Sequence, residues 1–198
     1  MLVLLWGVIL NLQYNDLYNF LGIVGDIVSH PEFLKLRFEK HHGTNRYDHS
    51  LRVAIKTYKY AIKHNMDVVE VTRASLLHDF FFNKDFGSNK QLYKLRSHPM
   101  MSVVNSKIHF HINQRQEDII KTHMFPVTRE IPSSRAALIV SLIDKEVSIY
   151  ETFKYRLRIN NHNEPINIDL NKNEFKEKEI LQLSKDYDLI KNTIKVTN

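Results

Sequence analysis

Hydrophobic residues recur at three- and four-residue intervals along almost the whole chain, and the residues that interrupt such a rhythm are scarce. Of 198 residues only 5 are glycine and 5 are proline, and no stretch keeps the alternation of a half-buried strand. Amphipathic helices of this kind are stable only when packed on one another, so the expected fold class is all-α. An apolar content of 43% in 198 residues is enough for a single compact domain with a true core.

The few breakers mark out the helices. Leu17, Phe20, Leu21, Val24, Ile27 and Val28 follow the helical spacing until Ser29, His30 and Pro31 interrupt it, and a second short helix is expected from Glu32 to about Lys40. His41, His42 and Gly43 then form a loop. The spacing predicts a helix from Arg46 to His64, with Leu51, Ala54, Ile55, Tyr58 and Ile62 facing the core and Arg52, Lys56, Lys59 and Lys63 on a wet stripe. Asp67 and Glu70 read as a capping pair that opens a helix ending at His78 and Asp79. Phe80 to Arg96 reads as a long connection that turns at 87–89, with Phe80, Phe81 and Phe82 either packing it onto the core or walling a substrate.

Ser97 is expected to cap the following helix, placing His98 and Pro99 in its first turn. Asn113 and Gln116 cap a short helix that ends near His123, before Pro126. Ser133 and Ser134 start a long helix to about Arg156, in which Ala137, Val140, Asp144 and Val147 share the inward face. A polar connection from Arg158 to Lys172 and an amphipathic helix from Asn173 to about Lys191 complete the chain. The expected division is an N-terminal helical segment, 1–44, packing on a helical core, 45–157, followed by a polar connection and C-terminal helix, 158–198.

Composition removes several classes of function. There is no cysteine, which excludes disulfide frameworks, thiolate metal sites and cysteine nucleophiles, and a reducing cytoplasm is the expected location. The net charge of +6 is scattered along the chain, so no dedicated nucleic-acid binding is expected. Met1 to Leu10 is almost wholly apolar but too short to span a bilayer, and it reads as a buried first segment, with a membrane-surface contact as the alternative. Eleven histidines are the pointed signal, because imidazole is the commonest neutral metal ligand.

His78 and Asp79 end the apolar run Ala74 to Leu77 and place an imidazole beside a carboxylate, a pair able to grip one cation. Asp144 lies within the apolar stretch 136–143 and the residues that follow it, where a charge is costly unless paired or bound to a cation. His49 falls in the first turn of its helix, beside neither the main core face nor the lysines. His30, His41, His42, His64 and His162 read as solvated loop or surface residues, and His109 and His111 as bystanders at a helix exit.

In this order and on these helices, the residues resemble the HD superfamily of metal-dependent phosphohydrolases. The resemblance covers roughly residues 45 to 150 and rests on His49 in the segment Tyr47 to Ala54, His78 and Asp79 in Leu76 to Asp79, and Asp144 in Leu142 to Lys145. It extends to His98 and His123, which are similar to the two additional histidines of dinuclear members. It implies an HD-domain-like helical bundle holding one or two divalent ions, with Fe, Mn, Zn, Co, Ni or Mg as candidates for a mixed nitrogen and oxygen donor set. His49, His78, Asp79 and Asp144 would hold the first ion, and Asp79, His98 and His123 the second. The chain departs from its relatives where dinuclear members have adjacent histidines, since His123 is followed by Met124, and where Gly-Lys often follows the His-Asp pair, since Phe80, Phe81, Phe82 and Asn83 precede Lys84.

The resemblance further implies a small phosphorylated, nucleotide-like substrate and water activated by the metal, whose pKa falls towards about 7 on coordination. Asp79, Arg46 and Lys145 are the candidate catalytic residues, the two cations serving to neutralise phosphate charge. The readings that compete are a buried salt bridge for Asp144, helix capping or substrate contact for His98 and His123, and a catalytically silent regulatory or ligand-binding module for the whole.

Overall fold

A computed structural model of the chain describes residues 14–41, 43–87 and 91–161. The expected apolar start at Met1 to Leu10, His162 and the C-terminal helix of 173–191 lie outside them. Among the described residues the helices are α1 (Tyr14–Val28), α2 (Pro31–Leu34), α3 (Arg46–Lys63), α4 (Val68–Leu77), α5 (Gln91–His109), α6 (Gln114–Thr122) and α7 (Arg135–Asn161). Single 3-10 turns cover Lys35–Phe38 and Asn83–Phe86, and the strands β1 (Lys40–His41) and β2 (Thr44–Asn45) form a small antiparallel hairpin. The fold is all-α.

The helix starts follow the capping residues. The Asn45 side chain accepts from the Asp48 amide, Asp67 from Glu70, and Asn113 from Gln116, with the Gln116 side chain returning the bond to the Asn113 amide. Ser134 Oγ accepts from the Ala137 amide at 3.1 Å at the start of α7.

One apolar core joins α1 to α4 and α7. Phe20, Val24 and Ile27 of α1 cluster with Leu51, Ala54 and Tyr58 of α3, Val71, Ala74, Leu76 and Leu77 of α4, Ile119 and Ile120 of α6, and Ala137 and Val140 of α7. Helix α1 is also tied down by polar contacts, because Arg73 of α4 donates to both Asp26 carboxylate oxygens at 2.6 and 2.8 Å and to the Ile23 carbonyl at 2.8 Å. Phe33, fully buried, meets the rings of Tyr47 and Phe80 at 5.5 Å each. Phe80, Phe81 and Phe82 are themselves buried, and Phe80 and Phe82 belong to the main core whereas Phe81 lies outside that cluster.

Several expectations are corrected. The short helix after Pro31 ends at Leu34 and gives way to a 3-10 turn and strand β1. Ile62 is 47% exposed, and Ala61 instead carries the core face into the last turn of α3. Helix α7 continues through Arg158 to Asn161 where a polar connection was expected. The largest difference is at Ser97: helix α5 already runs from Gln91, and Ser97, His98 and Pro99 lie inside it. A proline within a helix removes one backbone donor, here the one for the Leu95 carbonyl, and Leu95 is on the exposed side.

Phe33 carries the fold onto the segment that follows the His-Asp pair. Phe33→Ala is expected to destabilise the protein by about 3–5 kcal/mol, read as a shift of the urea unfolding midpoint with an unchanged slope.

Candidate metal centre

Two helix C-termini converge on one buried space. His78 closes α4 and His123 closes α6, positions where backbone carbonyls of the last turn have lost their helical donors. Each imidazole folds back onto one of them: His78 Nδ1 donates to the Ser75 carbonyl and His123 Nδ1 to the Ile120 carbonyl, both at 2.7 Å. A carbonyl only accepts, so each ring carries its proton on Nδ1 and turns Nε2 towards the cavity. His98 is held in the same way from mid-helix, with Nδ1 3.2 Å from the Lys94 carbonyl one turn back. The partial negative charge at the ends of α4 and α6 favours a cation in the space between them.

Asp79 stands at the middle. Its Oδ1 faces His98 Nε2 at 3.4 Å and His123 Nε2 at 3.5 Å, and its Oδ2 faces His78 Nε2 at 4.0 Å and Arg46 Nε at 3.9 Å. Asp144, on the inward face of α7, places Oδ1 3.0 Å from His49 Nε2 and 3.4 Å from His78 Nε2. His49, His78 and Asp144 form one group with donor atoms within 4.8 Å of one another, and His78, Asp79 and His123 form another. The structure thus brings together all six residues expected as metal ligands, all of them buried.

Further contacts fix this set from behind. His49 Nδ1 is 2.9 Å from Glu151 Oε2, and Glu151 Oε1 accepts from Arg52 at 2.6 Å. Arg46, 1% exposed, donates Nη1 to the Phe81 carbonyl at 2.8 Å and to Glu39 at 3.3 Å, with its guanidinium 3.7 Å above the Phe81 ring. Phe81 in turn lies against the His98 ring, 4.9 Å between centroids. The Lys145 ammonium donates to the His123 carbonyl at 2.8 Å, to Ser141 Oγ at 2.9 Å and to the Ser141 carbonyl at 3.1 Å. Those three oxygens engage all of its donors, so Lys145 braces the turn that carries His123.

The charges respond to this crowding. Burial alone would raise the Asp79 pKa, yet the neighbouring imidazoles, His78 first and then His123, hold it well below the usual carboxylate range. Burial opposes ionisation of Asp144 too, and the hydrogen bond from His49, with the His78 ring beside it, pulls it well below that range. His49 is disfavoured as a cation by burial, but its hydrogen bonds to Asp144 and Glu151 prevail and raise it to about 10. A proton therefore competes for His49 Nε2 with any metal ion. His98 is pushed down to about 4, first by burial, then by His123, with Asp79 working the other way.

The residues fit a metal ion on their own chemistry. His78 Nε2 and Asp79 Oδ1 are buried without a hydrogen-bond partner, which is costly in a dry interior. His98 Nε2 and His123 Nε2 lie 3.0 Å apart, and with both rings protonated on Nδ1 their lone pairs oppose each other unless a cation stands between. Most nitrogen to oxygen separations here, 3.4 to 4.0 Å, exceed a charge-assisted hydrogen bond of about 2.7–2.9 Å. They match the edges of a coordination shell whose bonds are about 2.0–2.2 Å.

Two residues escaped the sequence reading. Glu151 lies two helical turns beyond Asp144, and a second acidic residue at that spacing on the inward face of α7 was its signal. His41, expected to be solvated, sits on β1 with Nε2 3.8 Å from Asp79 Oδ2 and its ring 4.3 Å from that of His49. His98 was expected at a helix end and is held mid-helix. His49, expected beside neither the main core face nor the lysines, lies outside the apolar core clusters and is fully buried among polar groups.

A family model described as HD domain matches residues 46–147, a span that contains His49, His78, Asp79, His98, His123 and Asp144. No curated protein and no solved structure matches the chain.

Because Glu151 orients His49, Glu151→Ala is expected to weaken metal binding about 10- to 100-fold in titrations of the metal-free protein with Mn or Zn. Glu151→Gln, which keeps an acceptor for His49 Nδ1–H, is expected to lose less.

Proposed function

We propose that this chain, which belongs to the HD domain family, is a metal-dependent phosphohydrolase that cleaves a phosphoester bond in a small, nucleotide-like substrate. The family consists mostly of metal-dependent hydrolases, which supports the reaction class. One observation carries the reading: a buried carboxylate, Asp79, has one oxygen beside His98 and His123 and the other on the side of His78. Were divalent ions held on both sides, Asp79 would be a ligand shared by the two sets.

His49, His78, Asp79 and Asp144 would hold one ion, and Asp79, His98 and His123 a second. Nitrogen and oxygen donors without sulfur suit Fe, Mn, Zn, Co, Ni or Mg. Bound ions supply a Lewis acid for the phosphoryl oxygens and a water nucleophile near neutral pH, so no serine or cysteine nucleophile is required.

The chain's own groups do the rest. Arg46 keeps a fixed positive charge beside Asp79, and its Nε–H, buried without a hydrogen-bond partner, is a donor that a phosphoryl oxygen of the substrate would take. Glu39 and the Phe81 carbonyl hold the guanidinium still, which removes the cost of orienting it during the reaction. Phe81, packed between Arg46 and His98, keeps water from that side. Lys145, first considered as a phosphate ligand, is assigned a positioning role through the His123 carbonyl. The absence of cysteine suits a cytoplasmic enzyme, and no helix of the described residues is long and apolar enough to cross a membrane.

The test combines elemental analysis of the purified protein with a screen of nucleotides, cyclic dinucleotides and generic phosphoesters in added Mn. Turnover of at least one class is expected, with Asp79→Ala losing both activity and most bound metal. His123→Ala is expected to lose only the second ion. A metal-loaded protein that turns over nothing across the panel would leave a silent binding module in place of the enzyme, and equal metal loss from both variants would contradict the division of ligands.

A further inference from the structure

The hairpin β1–β2 is too small to be stable alone, and its position is fixed by its attachments. The Arg46 amide donates to the Glu39 carbonyl at 2.8 Å across its base, and His41 pairs with Thr44 and Lys40 with Asn45. Gly43, at φ 81°, supplies the left-handed turn residue that a side chain would strain. Arg52 reaches Thr44 Oγ1 at 3.4 Å with the same nitrogen that holds Glu151 at 2.6 Å. Hairpin and His49 are therefore positioned by one guanidinium, and the hairpin delivers the His41 ring against the metal centre.

Resting on the metal-centre reading above, we propose that His41 is a further nitrogen ligand of that centre, on the side of Asp79 away from His98 and His123. Its Nε2 is 3.8 Å from Asp79 Oδ2, too long for a hydrogen bond and within the separation of two ligands sharing one ion. His41, His49 and Asp79 each offer a donor atom, and the three lie within 4.8 Å of one another. The His41 side chain is 19% exposed, so it borders the cavity from its solvent side, whereas His49 and His78 close it from within. A ligand placed there occupies one of the positions that the four inner residues leave open, and it narrows the direction from which a phosphorylated substrate approaches.

The test is a titration of the full-length metal-free protein with Zn and with Mn, comparing the wild type with His41→Ala, His41→Gln and the control His64→Ala at the distal end of α3. His41→Ala and His41→Gln are expected to weaken one ion about tenfold or more and leave the other unchanged, with His64→Ala binding as the wild type. As a second readout, histidine nitrogen NMR of the wild type is expected to show a Zn-induced shift of His41 Nε2, and this measurement stands even if a variant misfolds. Wild-type affinity in both His41 variants, or a His41 resonance unmoved by Zn, would overturn the assignment and leave the proposed function intact. A wild type that binds no metal at all would overturn both.

Discussion

Sharing of the Asp79 carboxylate between two opposed sets of imidazoles is the contact on which the rest of this structure depends. A carboxylate buried in an apolar core is strongly disfavoured unless cationic or donor groups surround it. Here Asp79 is 3% exposed with the Arg46 guanidinium beside it, and the imidazole nitrogens that face it from the hairpin, α5 and α6, and from His78, are placed to hold a cation that would compensate it. Each of those elements is oriented so that a nitrogen reaches the same few ångströms.

Precision at such a point comes from the helix ends and from the groups behind the ligands. The His78 and His123 rings are locked by carbonyls of their own terminal turns, and His49 by Glu151. Locking one ring nitrogen leaves the other with a single direction, so the donor set is organised before anything binds. Arg46 does the same for charge, since its contacts to Glu39, the Phe81 carbonyl and the Phe81 ring leave it little freedom.

Much of this was legible from the residues. The apolar spacing and the caps at Asn113 and Asp67 located α6 and α4 to within a residue or two, because local hydrogen bonding decides where such helices begin. The inward position of Asp144 followed from its place on the face shared with Ala137 and Val140. The start of α5 was not legible, since proline propensity argues for Pro99 in a first turn, whereas tertiary contacts hold the turns before it, the Lys94 ammonium on Asn83 and the Tyr93 ring on Phe86. His41 was missed for a related reason: nothing in a local pattern reveals that a two-residue strand will fold back over His49. Glu151 lay on a predicted face and was overlooked because a lone acidic residue on a helix is ordinarily solvated.

Lys145 follows Asp144 in the chain and is bonded to the backbone of His123. One turn of α7 thus presents a ligand candidate to the His49 side of the cluster and grips the loop bearing a candidate on the His98 side. The two halves of the cluster are thereby joined through one lysine side chain, so a displacement of α7 at Asp144 is felt at the turn that carries His123.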